Sequence, residues 1–168
     1  LRSTEINTRP GSIMDAITLR PAGPDDYATL GEVMFDAIHN GPTKYTEAES
    51  NAWAPAPRQG PDWAERLSQK TVVLAEQGEV ILGFMSIERG GYVDFAYIRP
   101  EGQGSGLFRK LFNAVELHAK AAKKTTLSTH ASLMAQPAFA AMGFVVDFHE
   151  TVEVDGEKLS RAQMTKSL

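Results

Sequence analysis

Apolar positions along this chain alternate between a two-residue and a three-to-four-residue period, and the order of those switches predicts the architecture. Ile17 to Arg20 reads as a short strand stopped by Pro21. Pro24-Asp25-Asp26 then caps a helix with Tyr27, Leu30, Val33, Met34 and Ile38 on its apolar face. From His39 to Pro61 the period is lost among Gly, Pro, Asn and Thr, although Tyr45 and Trp53 punctuate the segment. A second helix is predicted over roughly Pro61 to Gln69, with Trp63 and Leu67 inward. Thr71 to Glu76 and Glu79 to Ile87 read as strands joined at Gln77-Gly78, and Gly90-Gly91 turns the chain into a third, Tyr92 to Ile98.

The next helix carries Leu107, Leu111 and Val115 four apart with Phe108 and Phe112 beside them, a stripe wide enough to lie on a sheet. Thr125 to Thr129 is a strand made parallel to its neighbour by that helical connection. Pro137 to Met142 is a short helix ended by Gly143. Phe144 to Val154 and Lys158 to Thr165 form a final hairpin over Asp155-Gly156. The sum is an α/β chain, an α+β mixed sheet of six or seven strands with about four helices. No internal repeat and no second core is legible. Residues 1–13 are polar and lack both periodicity and the apolar run of a signal peptide. They are expected to be a disordered N-terminal extension or an appended remnant, with a single domain over 14–168.

Composition narrows the chemistry. With 42% hydrophobic and 23% charged residues the chain is ordinary for a water-soluble globule. The absence of cysteine excludes disulfides, thiolate metal sites and cysteine nucleophiles. Four scattered histidines have no metal-ligand spacing, so no metal is expected. A net charge of −4 argues against a nucleic-acid surface, and no apolar run reaches the roughly 18 residues of a membrane span. A cytoplasmic location is expected.

Residues 98–108, Ile-Arg-Pro-Glu-Gly-Gln-Gly-Ser-Gly-Leu-Phe, join a strand to a helix start through glycines at 102, 104 and 106. Such a turn gathers bare N–H groups at one point, and the helix macrodipole adds about half a positive charge there. A phosphate or pyrophosphate is the ligand this chemistry suits. No Gly-Lys-Ser/Thr follows, so it is not a Walker loop, and the glycines do not fall as G-x-G-x-x-G.

Gln103-Gly104-Ser105-Gly106 after this strand resembles the acetyl-coenzyme A loop of the GNAT N-acetyltransferase superfamily, Gln/Arg-x-x-Gly-x-Gly/Ala, with Phe108 departing at the last position. A second segment, Ser132 to Phe139 followed by Met142-Gly143-Phe144, is similar to the superfamily's Asn-x-x-Ala-x-x-x-Tyr ahead of Gly-Phe. There Ser132 replaces the asparagine and Phe139 the tyrosine. Tyr45, Trp53-Ala54-Pro55 and Trp63 resemble a bacterial subgroup of these acetyltransferases. The order of elements over residues 17–166 is similar to the GNAT, acyl-CoA N-acyltransferase, fold.

The resemblance implies a function: acetyl-CoA-dependent transfer to a primary amine of a small molecule or peptide, by direct attack in a ternary complex. The alternative is an acyl-CoA sensor without turnover. It implies that amides of residues 103–108 (Gln103, Gly104, Ser105, Gly106, Leu107 and Phe108) hold the pyrophosphate and that Ala96, Tyr97 and Ile98 pair with the pantetheine. Ser132 and Phe139 are further cofactor contacts by position, Ser132 alternatively a helix cap. Arg99, Arg109 and Lys110 reach phosphates or are solvated surface. Tyr45, Trp53 and Trp63 fall where the acceptor pocket forms, or plug the core beneath a long loop. An amine nucleophile must be neutral, so a base is wanted. Asp94 is the first candidate, expected on the same side of its strand as Ala96 and Ile98 with apolar neighbours that raise its pKa. It reads alternatively as an acid bonded to nearby backbone. His130 is the second candidate base, or a polar residue opening the next turn. Tyr97 is a candidate acid for the departing thiolate, on the other face by parity. A homodimer is compatible with the sequence.

Overall fold

A computed structural model describes residues 16–168, so the expectations for residues 1–13 lie outside the described residues. Its seven strands are β1 (Ile17–Pro21), β2 (Thr71–Gln77), β3 (Val80–Ile87), β4 (Tyr92–Ile98), β5 (Thr126–Ser132), β6 (Val145–Val154) and β7 (Glu157–Ser167). They form one sheet in the order β1-β2-β3-β4-β5-β7-β6. Helices are α1 (Tyr27–Asn40), α2 (Glu47–Trp53), α3 (Pro61–Ser68), α4 (Leu107–Ala121) and α5 (Gln136–Ala141). That is five against the expected four. The additional one, α2, rises from the segment without periodicity. Its start is fixed by a capping box in which the Thr46 hydroxyl accepts from the Glu49 amide and the Glu49 carboxylate accepts from the Thr46 amide.

Two apolar clusters cover the two faces of the sheet. One gathers Leu107, Leu111, Phe112 and Val115 of α4 with Phe139 and Phe144. The other gathers Leu30, Val33 and Met34 of α1 with Trp63, Leu67, Phe84 and Phe95. The closing hairpin turns over Asp155 (φ 46°) and Gly156 (φ 80°), the pair of positive φ values that a two-residue type I′ turn requires.

Two irregularities position the site. The single parallel neighbour pair, β4 with β5, is joined at only Tyr92↔Ser128 and Val93↔Thr129. Beyond it β4 stays on β3 up to Ile98 while β5 stays on β7 up to Ser132, so the strands part. The edge of β4 from Asp94 to Ile98 is left facing a gap.

The second irregularity is a β-bulge. Between the pairs Met85↔Ala96 and Ile87↔Val93, β4 spends two residues, Asp94 and Phe95, against the one residue Ser86 of β3. Buried Ser86 compensates the disrupted ladder, its hydroxyl accepting the Phe95 N–H at 2.9 Å. The extra residue reverses the side-chain alternation. Val93, Ala96 and Ile98 pack towards α4, whereas Phe95 and Tyr97 pack towards α1. Asp94 therefore does not share a side with Ala96 and Ile98, as strict alternation predicted. It shares a cleft with Phe95 and Tyr97.

Candidate active site

At the mouth of the gap the chain makes a 3₁₀ turn at Pro100–Gly102 and then the glycine-rich turn into α4. Gly104 and Gly106 adopt φ of +78° and +77°, which L side chains rarely take, and a Cβ on either would meet nothing within 4 Å. The cradle is thus open on the side where a ligand would sit. The first helical bond of α4 runs from the Lys110 N–H to the Gly106 carbonyl at 3.2 Å, so the amides of Leu107, Phe108 and Arg109 precede it without an intrahelical partner. The first turn of α4 carries no acidic residue and two cations, Arg109 and Lys110. That polarity opposes the macrodipole and favours an anion at the turn. A pyrophosphate fits this set of donors.

The Phe108 ring does not fill the cradle. It packs on the α4 cluster, edge-on to Phe139 with centroids 5.1 Å apart. Phe139 is buried behind it, against Phe144 as well, and lines neither cleft described below. Phe139 thus stands behind the wall of the first cleft, through Phe108, and not on its surface. Ser105 turns its hydroxyl back onto the Gly102 carbonyl at 2.6 Å and holds the turn rather than facing the cleft. Arg99 is committed elsewhere: its guanidinium donates to Asp36 at 3.0 Å and to the Ile81 carbonyl at 2.9 Å.

From the cradle a cleft of about 280 Å³ runs down the gap past Ala96, Tyr97 and Ile98 on one wall and Ser132 and Ala135 on the other. On the far side of the same gap lies a second cleft, of about 210 Å³. Tyr45, Trp53, Tyr97 and Ser132 line both. They are the junction where something lying in one cleft meets something lying in the other.

Tyr45 fixes that junction. Its phenol donates to the Ser160 carbonyl at 2.6 Å and accepts the Leu133 N–H at 2.9 Å, tying the segment before α2 to β7 and to the end of β5. Burial pushes its pKa up. Burial, with the nearby Asp94 charge adding, also holds the Tyr97 phenol far above the ordinary value, so it stays protonated. Ser132 accepts the Ala135 N–H at 3.2 Å and so shapes the turn into α5 while lining both clefts. Trp63 is a core residue: it is 4% exposed, its indole donates to the Tyr27 carbonyl at 2.7 Å, and it lines neither cleft. Its alternative reading as a plug under the loop fits, and that as a pocket wall does not.

The second cleft holds the titratable groups. His130 Nδ1 lies 2.7 Å from the Tyr92 hydroxyl, and its Nε2 lies 3.7 Å from Glu150. Glu150 is itself held by Arg161 at 2.8 Å. The carboxylate favours the proton on Nε2, leaving Nδ1 to accept from Tyr92. Burial first, then the Asp94 charge, raises the Tyr92 pKa. Asp94 is not among apolar neighbours alone, as the sequence reading expected: Arg66 and Lys70 stand 3.3 and 3.5 Å from its carboxylate. Among the described residues no cluster of His, Asp or Glu suits a metal, and no helix is long and apolar enough to cross a membrane.

Comparison with known proteins bears on this geometry. A family model, Acetyltransferase (GNAT) domain, matches residues 43–168. The chain belongs to the GNAT acetyltransferase family. A solved GCN5-related N-acetyltransferase of Rhodopseudomonas palustris, whose description also reads aminotransferase class II, is 31% identical to this GNAT chain. The match covers 94% of this chain and all of that one, with a TM-score of 0.83. More distant, the PaiA N-acetyltransferase of Thermoplasma acidophilum in complex with coenzyme A is 17% identical over 91% of this chain and 99% of its own, with a TM-score of 0.73. The phosphinothricin acetyltransferase of Sinorhizobium meliloti in complex with acetyl-CoA is 20% identical over 90% and 88%, with a TM-score of 0.69. No curated protein matches by sequence. As a GNAT domain the chain is an acyltransferase, and acetyl-CoA is the cofactor this family uses.

Of the residues singled out in the sequence, Gln103, Gly104, Gly106, Leu107, Phe108, Ala96, Tyr97 and Ile98 line the first cleft. Asp94 and His130 line only the second, away from the cradle. Tyr92, Arg58, Arg66, Glu150 and Arg161 were not foreseen. What brings Tyr92 to His130 is the register of the parallel ladder, in which Tyr92 pairs with Ser128, two residues before His130, and that register is a product of the fold.

Proposed function

We propose that this GNAT domain acetylates the primary amine of a small molecule by direct attack in a ternary complex. The observation carrying this reading is the pair of clefts that meet at Tyr45, Trp53, Tyr97 and Ser132, one ending in an anion cradle and the other in a proton-accepting chain. Acetyl-CoA, when bound, supplies an activated thioester. Amides at the start of α4 hold its pyrophosphate, and the free edge of β4 at Ala96–Ile98 orients its arm.

Proton management falls to Tyr92 and His130. An amine of pKa about 10.4 must give up a proton at a cost of roughly 4–5 kcal/mol at pH 7. The Tyr92 oxygen takes that proton while passing its own to His130 Nδ1, and Glu150 stabilises the imidazolium. Asp94, engaged by Arg66 and Lys70, serves as an electrostatic partner rather than as the base. Tyr97, neutral at the junction, donates a hydrogen bond to the departing sulfur in place of the acid that Phe139 cannot be.

Thiol release from acetyl-CoA across an amine library tests the reading. Turnover with at least one amine is expected, and His130→Ala lowers kcat by roughly 10²–10⁴-fold. Coenzyme binding without thiol release on any amine would replace catalysis with the sensor function.

A further inference from the structure

Three arginines face the acceptor cleft, and two are already paired. Arg66 meets Asp94 at 3.3 Å and Arg161 meets Glu150 at 2.8 Å. Arg58 has no ion pair among the described residues, and its Nε is buried without a hydrogen-bond partner. Withdrawing a guanidinium N–H from water with nothing to receive it is costly, and such groups are ordinarily satisfied.

The position of Arg58 is enforced. Its main chain lies so close to α1 that a Cβ on Gly31 would come within 1.9 Å of the Arg58 carbonyl oxygen and 2.9 Å of its carbon. Only glycine at 31 permits this approach. Arg58 lines the second cleft together with Tyr97, the residue at which that cleft meets the first, and its charge acts on the Tyr97 phenol.

Building on the acetyl transfer proposed above, we infer that the acceptor is a small amine bearing a carboxylate, with that carboxylate taken by Arg58. A planar guanidinium matches a carboxylate through two parallel hydrogen bonds. Asp94 beside Arg66 and Glu150 beside Arg161 repel a second anion from those arginines, which leaves Arg58 as the receiving cation. Met34, Phe95, Val152 and Leu159 offer an apolar wall for the remainder of the molecule. A cleft of about 210 Å³ suits something the size of a free amino acid with an apolar side chain.

The test is calorimetry on the full chain saturated with coenzyme A, titrated with leucine, methionine and phenylalanine and with their carboxamides. Expected is at least one amino acid binding tenfold or more tightly than its amide. Arg58→Ala brings that ratio to within twofold of unity, and Arg58→Lys leaves it intermediate, because lysine keeps the charge and loses the fork. Arg58→Met, which removes the uncompensated charge, melts without ligand at or above the wild-type temperature; a residue with a purely structural role would lower it. Amides binding as tightly as acids, no acid binding at all, or an Arg58→Ala variant that keeps the ratio would each overturn the inference. Thiol release with amides and acids alike would overturn it and leave acetyl transfer standing. A bound acid that provokes no thiol release, with none released on any other amine, would overturn acetyl transfer and leave carboxylate recognition intact.

Discussion

Gly106→Ala separates the anion cradle from the fold that carries it. The φ of +77° at Gly106 puts an alanine in the left-handed region, at about 1–2 kcal/mol. Reduced freedom of the unfolded chain returns roughly 0.4–1 kcal/mol of that. The net loss is about 1 kcal/mol, or a fall in Tm of some 2–4 °C for a chain of this size. Affinity suffers more. The new methyl enters space in which no protein atom lies within 4 Å, and that space adjoins the free amides of Leu107 and Phe108. Displacing a phosphate from one or two charge-assisted hydrogen bonds, at about 1.5–3 kcal/mol each, raises the Kd for coenzyme A by roughly one to several powers of ten.

Gly156→Ala is the control. Gly156 has φ +80°, also has nothing within 4 Å of an added Cβ, and lies in the closing hairpin, lining neither cleft and remote in sequence from the cradle. Thermal melts without ligand and calorimetry with coenzyme A read the two effects separately. Similar melting losses with a Kd change at Gly106 alone are expected. Coenzyme affinity within twofold of wild type in Gly106→Ala, or an equal affinity loss in Gly156→Ala, would refute the cradle.

Ser86→Ala should destabilise by about 1–3 kcal/mol, because the Phe95 N–H at the bulge loses its buried acceptor; denaturant unfolding reads this, and a change below about 0.5 kcal/mol would show that the hydroxyl does not support the bulge. Alkaline pH provides a third check. Burial raises the pKa of Tyr45, Tyr92 and Tyr97 in the fold, so their contribution is complete below the unfolded value of about 10 and is lost as pH rises through the folded values. Part of the phenolate absorbance should therefore appear only as circular dichroism is lost, and full ionisation of an intact fold would contradict it.

Much of the frame was readable because the forces that make it are periodic. Leu107, Leu111 and Val115 recur at helical spacing, and all three are buried on the sheet. Glycines at 104 and 106 marked the cradle because L side chains rarely take the backbone there. Helix α2 escaped because its seven residues are too few to show a stripe, although the Thr46-x-x-Glu49 box announced its start. Phe139 and Trp63 were given site roles from their positions in sequence. Their burial is decided by neighbours distant in sequence, Phe108 for one, Tyr27 and Phe95 for the other.

The bulge explains why the faces of β4 were misread. Alternation is a property of a regular ladder, and a single extra residue inverts it for everything downstream. No residue type in Tyr92–Ile98 requires that insertion, and what accommodates it lies on the partner strand, where the Ser86 hydroxyl accepts the Phe95 N–H. With the parity inverted, Ala96 and Ile98 keep their small and aliphatic side chains on the α4 side, beside the cradle and the expected cofactor path. Asp94 stays on the side of Tyr92, two residues before it, and Tyr97 joins them there with His130, on the α1 side where an acceptor would be held. The strand thereby serves two clefts at once, its free edge to one and its polar side chains to the other. A straight strand would have put Asp94 on one face with Ala96 and Ile98, and Tyr97 on the other. The division of labour between the clefts thus rests on one inserted residue and the hydroxyl that stabilises it.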